Sequence, residues 1–443
     1  MTAERSTPII PGPRTVSLPV AGHAAQPPPF ILPAAHFTAS LVWLTLGAIG
    51  LVAVAPRLAE GGFLDPRVFA VVHVFTLGVV TTAIFGALYQ LFPPLLGVTL
   101  RSTRVALASF WLLTIGAAVL VAGFWTWQRL LLGTGWMLIF GAVGGVSWNL
   151  LPQRRRARQG HLVGRYISAG HAALGLAMLL GAARIGELFG WWTTDRLGMI
   201  SAHFHLAALG FATFTAVGVG SRVLPMFLLA RDPPQRPLRW IGPLGGAGLV
   251  TLSVGQMFGW RGAVLGGASL TASAGAMFLA LAAAYYRRRE HRALDPALAH
   301  VAVALLGLAL TLGTGLALLF LQGAPLVRGT IAYALLGVLG WLVLLIIGVY
   351  YRILPFLTWL NLAPRRPAAT LSAAPPALLR RDLAWWSLGL LAGGIGGMVA
   401  GVFAGTTGGV RGGAILFAAG VGVLVAQYGR MLVRVRRGGA TGQ

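Results

Sequence analysis

Apolar residues run along this chain in blocks of about twenty, separated by short segments rich in arginine, proline and glycine. A helix needs about 20 such residues to cross the roughly 30 Å hydrocarbon core of a bilayer. Twelve blocks qualify, starting near residues 31, 67, 105, 131, 166, 198, 240, 262, 297, 329, 383 and 412. The pattern predicts an all-α polytopic membrane protein with twelve transmembrane helices. Residues 1–30, with Pro11, Pro13, Pro27, Pro28 and Pro29, read as a flexible tail before a single membrane domain over residues 31–437. The tail lacks a cleavable signal pattern, so the first apolar block reads as a retained helix. The alanine- and proline-rich stretch from Pro364 to Arg381 reads as the longest internal loop.

Within the blocks one frame of residues recurs. His73 is followed by Gly78, Gly86 and Pro93, and His205 by Gly210, Gly218 and Pro225. Leu335 is followed at the same offsets, five, thirteen and twenty residues, by Gly340, Gly348 and Pro355. The recurrence, about every 130 residues, predicts three pseudo-repeats of four helices over about residues 31–150, 166–286 and 297–430. The first helix of each repeat carries a histidine near its start: His36, His171 and His300. The second helix ends on Gln90, Arg222 or Arg352, three residues before its proline. The second, sixth and tenth helices are then expected at equivalent places in a ring, and Arg222 and Arg352 are expected to snorkel to lipid headgroups, with lining a polar cavity as the lesser alternative.

Composition sharpens this picture. The chain is 57% hydrophobic and 10% charged, with a net charge of +25 carried by arginine alone, since lysine is absent. Of 34 arginines, only Arg57, Arg67, Arg129, Arg184, Arg196, Arg261, Arg328 and Arg411 fall on the face opposite the tails. Such asymmetry is the positive-inside signature, which predicts a bacterial-type inner membrane protein with both termini cytoplasmic. The basic excess is a topology signal and a contact for membrane lipid, and no nucleic-acid reader motif accompanies it. There is no cysteine, which excludes disulfides, thiolate metal sites and thioether-linked heme. All nine acidic residues are expected in loops or tails, so the carboxylates of a membrane proton relay are missing and a proton-pumping oxidase is not expected.

The histidines carry the candidate chemistry. Histidine inside an apolar helix is costly unless it bonds to something. His203 and His205 flank Phe204, and residues two apart on a helix point about 200° away from each other, so they serve two different sites. His73 enters its helix at a similar depth, and His73 and His205 are expected to converge as an axial pair on a b-type heme. The competing reading makes these residues packing or headgroup contacts. For His36, His171 and His300, nearer the interface, anchoring and local hydrogen bonds stand beside a weaker reading as a metal site. His23, His161 and His291 lie in tails or arginine-rich loops and read as solvated.

The run His203-Phe204-His205, with Gly218 and then Pro225 in Val-Leu-Pro-Met-Phe, resembles the tenth helix of heme–copper oxidase subunit I. His73, with the ending from Gly86 through Pro93-Pro94 to Gly97, is similar to that family's second helix. Twelve helices in three arcs of four is also its architecture, and the NnrS-type membrane proteins, associated with heme, copper and nitric oxide, share the resemblance. The resemblance implies one or two hemes b, with His73 and His205 as low-spin ligands and His203 facing a second heme or metal. It implies electron transfer or nitric oxide binding or reduction, with an electron-donor protein or quinol as partner. The departures are specific. The paired histidines lie on the sixth helix here, and the seventh, from Trp240 to about Phe258, has no histidine to support copper. A transporter or chaperone for metal or heme is the alternative expectation.

Overall fold

The computed structural model describes residues 29–156, 161–193, 196–231, 234–291, 293–362 and 378–440. The proposed tail and most of the Pro364–Arg381 loop lie outside the described residues. All described secondary structure is helical, and twelve helices are long and apolar enough to cross a membrane. They are α1 Ile31–Ala59, α2 Pro66–Leu96, α3 Thr103–Thr126, α4 Arg129–Gln153, α5 Leu162–Leu188 and α6 Leu197–Leu228. The chain continues with α7 Leu238–Phe258, α8 Arg261–Arg287, α9 Pro296–Leu318, α10 Gly323–Trp359, α11 Arg381–Ala404 and α12 Thr407–Val433.

Several helices begin earlier than hydropathy alone indicates, because their first turns are polar and capped. Asp65 accepts from the Arg67 amide with Pro66 in the first turn, Ser102 from Val105, and Asp295 from Leu298 with Pro296 behind it. Such caps satisfy amides that a membrane helix end would otherwise leave open. Among the described acidic residues, Glu60, Asp65, Glu290 and Asp295 lie between helices, as expected, whereas Glu187 sits in the last turn of α5 and Asp382 in the first turn of α11.

Every helix packs against its neighbours in sequence, and α12 packs back on α1, so the twelve close into a ring. α2, α6 and α10 also touch one another, which puts them at its middle. Each of these three contains an eight-residue π-helical segment: Val74–Thr81, Leu206–Thr213 and Leu336–Val343. Each segment begins one residue after His73, His205 or Leu335, and the three segments meet each other. π segments are rare and cluster at functional sites.

The glycine frame is explained by close helix approach. A Cβ on Gly78 would lie 2.5 Å from Trp43 of α1, and one on Gly210 2.5 Å from Ala173 of α5. At the third position Gly340 lies against Gly307 of α9. A second glycine pattern holds the peripheral hairpins. Gly116, Gly123 and Gly135 join α3 to α4; Gly248, Gly255 and Gly267 join α7 to α8; Gly394, Gly401 and Gly413 join α11 to α12. The spacing, seven then twelve residues, is the same each time. Small residues at such crossings let membrane helices gain van der Waals contact that lipid cannot supply.

Candidate functional site

Two of the three outer histidines meet. His73 on α2 and His203 on α6 have ring centroids 6.3 Å apart. The His73 Nδ1 lies 2.8 Å from the Phe69 carbonyl one turn back, and the His203 Nδ1 lies 2.8 Å from the Ala177 carbonyl of α5. A ring nitrogen that close to a carbonyl oxygen carries the proton, so each Nε2 keeps its lone pair. Carbonyl-anchored imidazoles with a free Nε2 are the usual form of a metal-ligating histidine. Two metal–imidazole bonds of about 2.0–2.1 Å, with a ring radius at each end, come to about 6 Å between centroids. The observed separation matches that span.

Both rings border one cavity of about 220 Å³ lined by α2 to α6 together with Leu342 of α10. Its walls are overwhelmingly apolar, with Leu77, Leu120, Leu174, Met178 and Phe211 among them. Phe124 of α3 stacks on His73 at 4.8 Å, and Trp127, at the end of α3, also lines the cavity. Arg184, paired with Glu187 on α5, is the one formal charge in the wall. Trp127 sits in the left-handed region at φ 54°, where the matching turns after α7 and α11 carry Gly259 and Gly405. A left-handed conformation costs a non-glycine residue about 1–2 kcal/mol, and such strain collects at functional sites.

His205 turns away from this cavity. Its Nδ1 bonds the Ser201 carbonyl at 2.7 Å, and its Nε2 accepts from the Tyr333 hydroxyl of α10 at 3.1 Å. The expected convergence of His73 with His205 is therefore corrected: His203 is the partner of His73. The reason is the 200° angle between His203 and His205, which sends one toward α2 and α5 and the other toward α10. Trp341 of α10 ties the same interface by donating to Thr213 at 3.0 Å.

His36, His171 and His300 are all buried, each with Nδ1 on the carbonyl four residues earlier. They are not brought together, and among the described residues no group of three or more His, Cys, Asp or Glu could hold a metal. Nor are the three equivalent in packing. Gly86 lies against His36 and Gly348 against His300, but Gly218 lies against Tyr166, five residues before His171. Arg352 pairs with Asp295 at 2.5 Å, bonds the Phe227 carbonyl at 3.1 Å, and with Gln90 lines a cavity of about 640 Å³ at the arginine-rich end. Arg222 is exposed.

Sequence reasoning missed Tyr333, Phe124 and Trp127. For Tyr333 a signal existed: it stands two residues before Leu335, as His203 stands two before His205. Neither a family model nor a curated protein matches this chain.

Proposed function

We propose that this chain is a heme-binding membrane protein, built as three units of four helices and related to heme–copper oxidase subunit I. One b-type heme would lie between α2 and α6 on His73 and His203. The single observation that carries this is the pair of carbonyl-anchored imidazoles 6.3 Å apart across an apolar cavity. A bare metal ion suits the cavity less well, because the donors are neutral and the wall supplies almost no balancing charge. An apolar macrocycle carrying its own charge balance suits it better.

The protein's part is to hold and to shield. The Phe69 and Ala177 carbonyls fix both ring orientations, and the aliphatic wall would give the bound group an apolar surround. The volume of about 220 Å³ is below the roughly 300–1,000 Å³ of most small-molecule sites, so the lining, Phe124 and Trp127 included, would have to give way to a heme. His205, occupied by Tyr333, offers no second axial ligand, which favours one heme over two. A heme with both axial positions filled supplies one-electron transfer, and this favours electron transfer over nitric oxide binding. The donor would be a protein or quinol, and the arginine-rich end would face the cytoplasm of an inner membrane.

Reduced-minus-oxidised spectra of the protein purified in mild detergent test the reading. Sharp b-type bands, unresponsive to carbon monoxide, lost in His73→Ala and His203→Ala and kept in His205→Ala, are expected. A colourless protein, or bands that depend on His205 rather than His203, would sink it.

A further inference from the structure

At the arginine-rich ends of the first and third units the same four-residue constellation occurs twice. In the first unit it is His36 on α1, Tyr89 on α2, Ser109 on α3 and Asn149 on α4, all at most 2% exposed. In the third it is His300 on α9, Tyr351 on α10, Ser387 on α11 and Gln427 on α12. Tyr89 and Tyr351 each stand four residues before the frame proline, Pro93 and Pro355. The histidine rings lie 5.5 Å and 4.9 Å from their tyrosine rings. Each tyrosine hydroxyl points among the serine and amide of its own unit.

Polar atoms in both clusters are left over. The His36 and His300 Nδ1 atoms sit 2.7 Å from the Leu32 and Pro296 carbonyls, so their Nε2 atoms are bare acceptors. Those Nε2 atoms, the Tyr89 hydroxyl and the Gln427 Oε1 are buried without a hydrogen-bond partner among the described residues. Gln427 spends its Nε2 on the Tyr351 oxygen at 3.2 Å. In the third unit both leftover atoms are acceptors, so whatever joins them must donate twice. In the first unit the joining group must donate to His36 and can accept from Tyr89. Neither cluster contains an anionic side chain for a cation. A single water molecule meets both requirements, and buried waters sit where they complete two to four such bonds.

The second unit also has a buried histidine with a bare Nε2, His171, but phenylalanines, Phe85 and Phe211, stand beside its ring in place of a tyrosine. Tyr166 takes the histidine's place against Gly218 and donates to the Leu238 carbonyl at 2.7 Å. Ser221 takes the tyrosine's place, four before Pro225, and donates to the Gly218 carbonyl. Both hydroxyls there are satisfied within the chain.

We propose that the first and third units each enclose one ordered water, held by His36 with Tyr89 and by His300 with Tyr351 and Gln427. The sites are separate from the His73–His203 cavity and stand whether or not heme binds there. Water-edited nuclear magnetic resonance on full-length, ¹⁵N-histidine-labelled protein in nanodiscs tests them, with signals assigned by His36→Gln and His300→Gln. Magnetisation passing from water to both imidazoles is expected. Tyr89→Phe should lower the transfer to His36 by about twofold or more, since one of the water's few bonds is lost, and leave His300 unchanged. Tyr351→Phe should do the reverse. No transfer in the unmodified protein, or transfer indifferent to both tyrosine substitutions, overturns the proposal.

Discussion

Gly267→Ala is the sharpest test of how the peripheral hairpins are held. A Cβ on Gly267 would lie 2.3 Å from the Leu252 amide nitrogen, 2.6 Å from its Cα and 2.8 Å from the Gly248 carbonyl oxygen. All three are backbone atoms, so no side chain can rotate out of the way. Ordinary contact between heavy atoms needs about 3.5–4.0 Å, so α7 and α8 must separate by about 1 Å. A gap of that size forfeits a quarter to a half of the dispersion along the crossing, and overpacking of this kind costs about 1–3 kcal/mol. Alanine recovers about 0.8–1 kcal/mol of helix propensity, which masks part of the loss. Gly266→Ala separates the two effects, because a Cβ there meets nothing within 4 Å. Reversible unfolding against sodium dodecyl sulfate should place Gly267→Ala about 1–3 kcal/mol below Gly266→Ala. Gly413→Ala, 2.4 Å from the Met398 amide, should fall below Gly412→Ala in the same way. Equal stability within either adjacent pair would refute the close-approach argument.

Other expectations follow from single interactions. Asp295 both caps α9 and pairs with Arg352, so Asp295→Ala should cost more than Asp295→Asn by about 1 kcal/mol, the value of a cap. Detergent unfolding of the two variants measures the difference, and raised salt should weaken only the ion-pair part. Trp127→Gly should relieve the left-handed turn while opening the cavity wall. On the proposed heme reading, its expected signature is faster heme loss to apomyoglobin with little loss of fold stability, and slower heme loss would contradict the place given to Trp127 in the wall. Phe124→Ala should speed heme loading of apoprotein, read as the rise of the b-type bands.

The helices and their number were legible because the bilayer imposes a length and an apolar composition that any residue count reveals. The frame of His73, Gly78, Gly86 and Pro93 was legible because glycine tolerates the approach of Trp43 and His36, and spacing survives in sequence. The seven-and-twelve glycine spacing of the hairpins was equally present, but it is hidden among 62 glycines until partner atoms are known. Pairing was harder. An α-helical wheel places His203 and His205 on opposite sides but does not say which side faces α2. The π segments that follow them also break the wheel's regularity. His171 misled for a similar reason: counting histidines made it the counterpart of His36, whereas packing against Gly218 gives that place to Tyr166.

The three central helices obey one pairing rule, and it can be tested without any cofactor. Take the position just before each π segment, held by His73, His205 and Leu335, and the position two residues earlier, held by Val71, His203 and Tyr333. His205 meets Tyr333, so the later position of α6 faces the earlier position of α10. His73 meets His203, so the later position of α2 faces the earlier position of α6. Extending the same rule would bring Leu335 toward Val71, both of them buried, at the remaining interface. One slot is then a histidine pair, one a hydrogen-bonded histidine and tyrosine, and the third, by that extension, would be apolar. Double-mutant cycles on apoprotein read the rule directly. His205→Phe with Tyr333→Phe should show coupling of about 0.5–1.5 kcal/mol, the net worth of one hydrogen bond. His73→Phe with His205→Phe should add to within about 0.3–0.5 kcal/mol, as residues in different slots do. Coupling between His73 and His205 in place of His205 and Tyr333 would mean that α6 is rotated from the orientation described, and both the slot rule and the choice of His203 as ligand would fall with it.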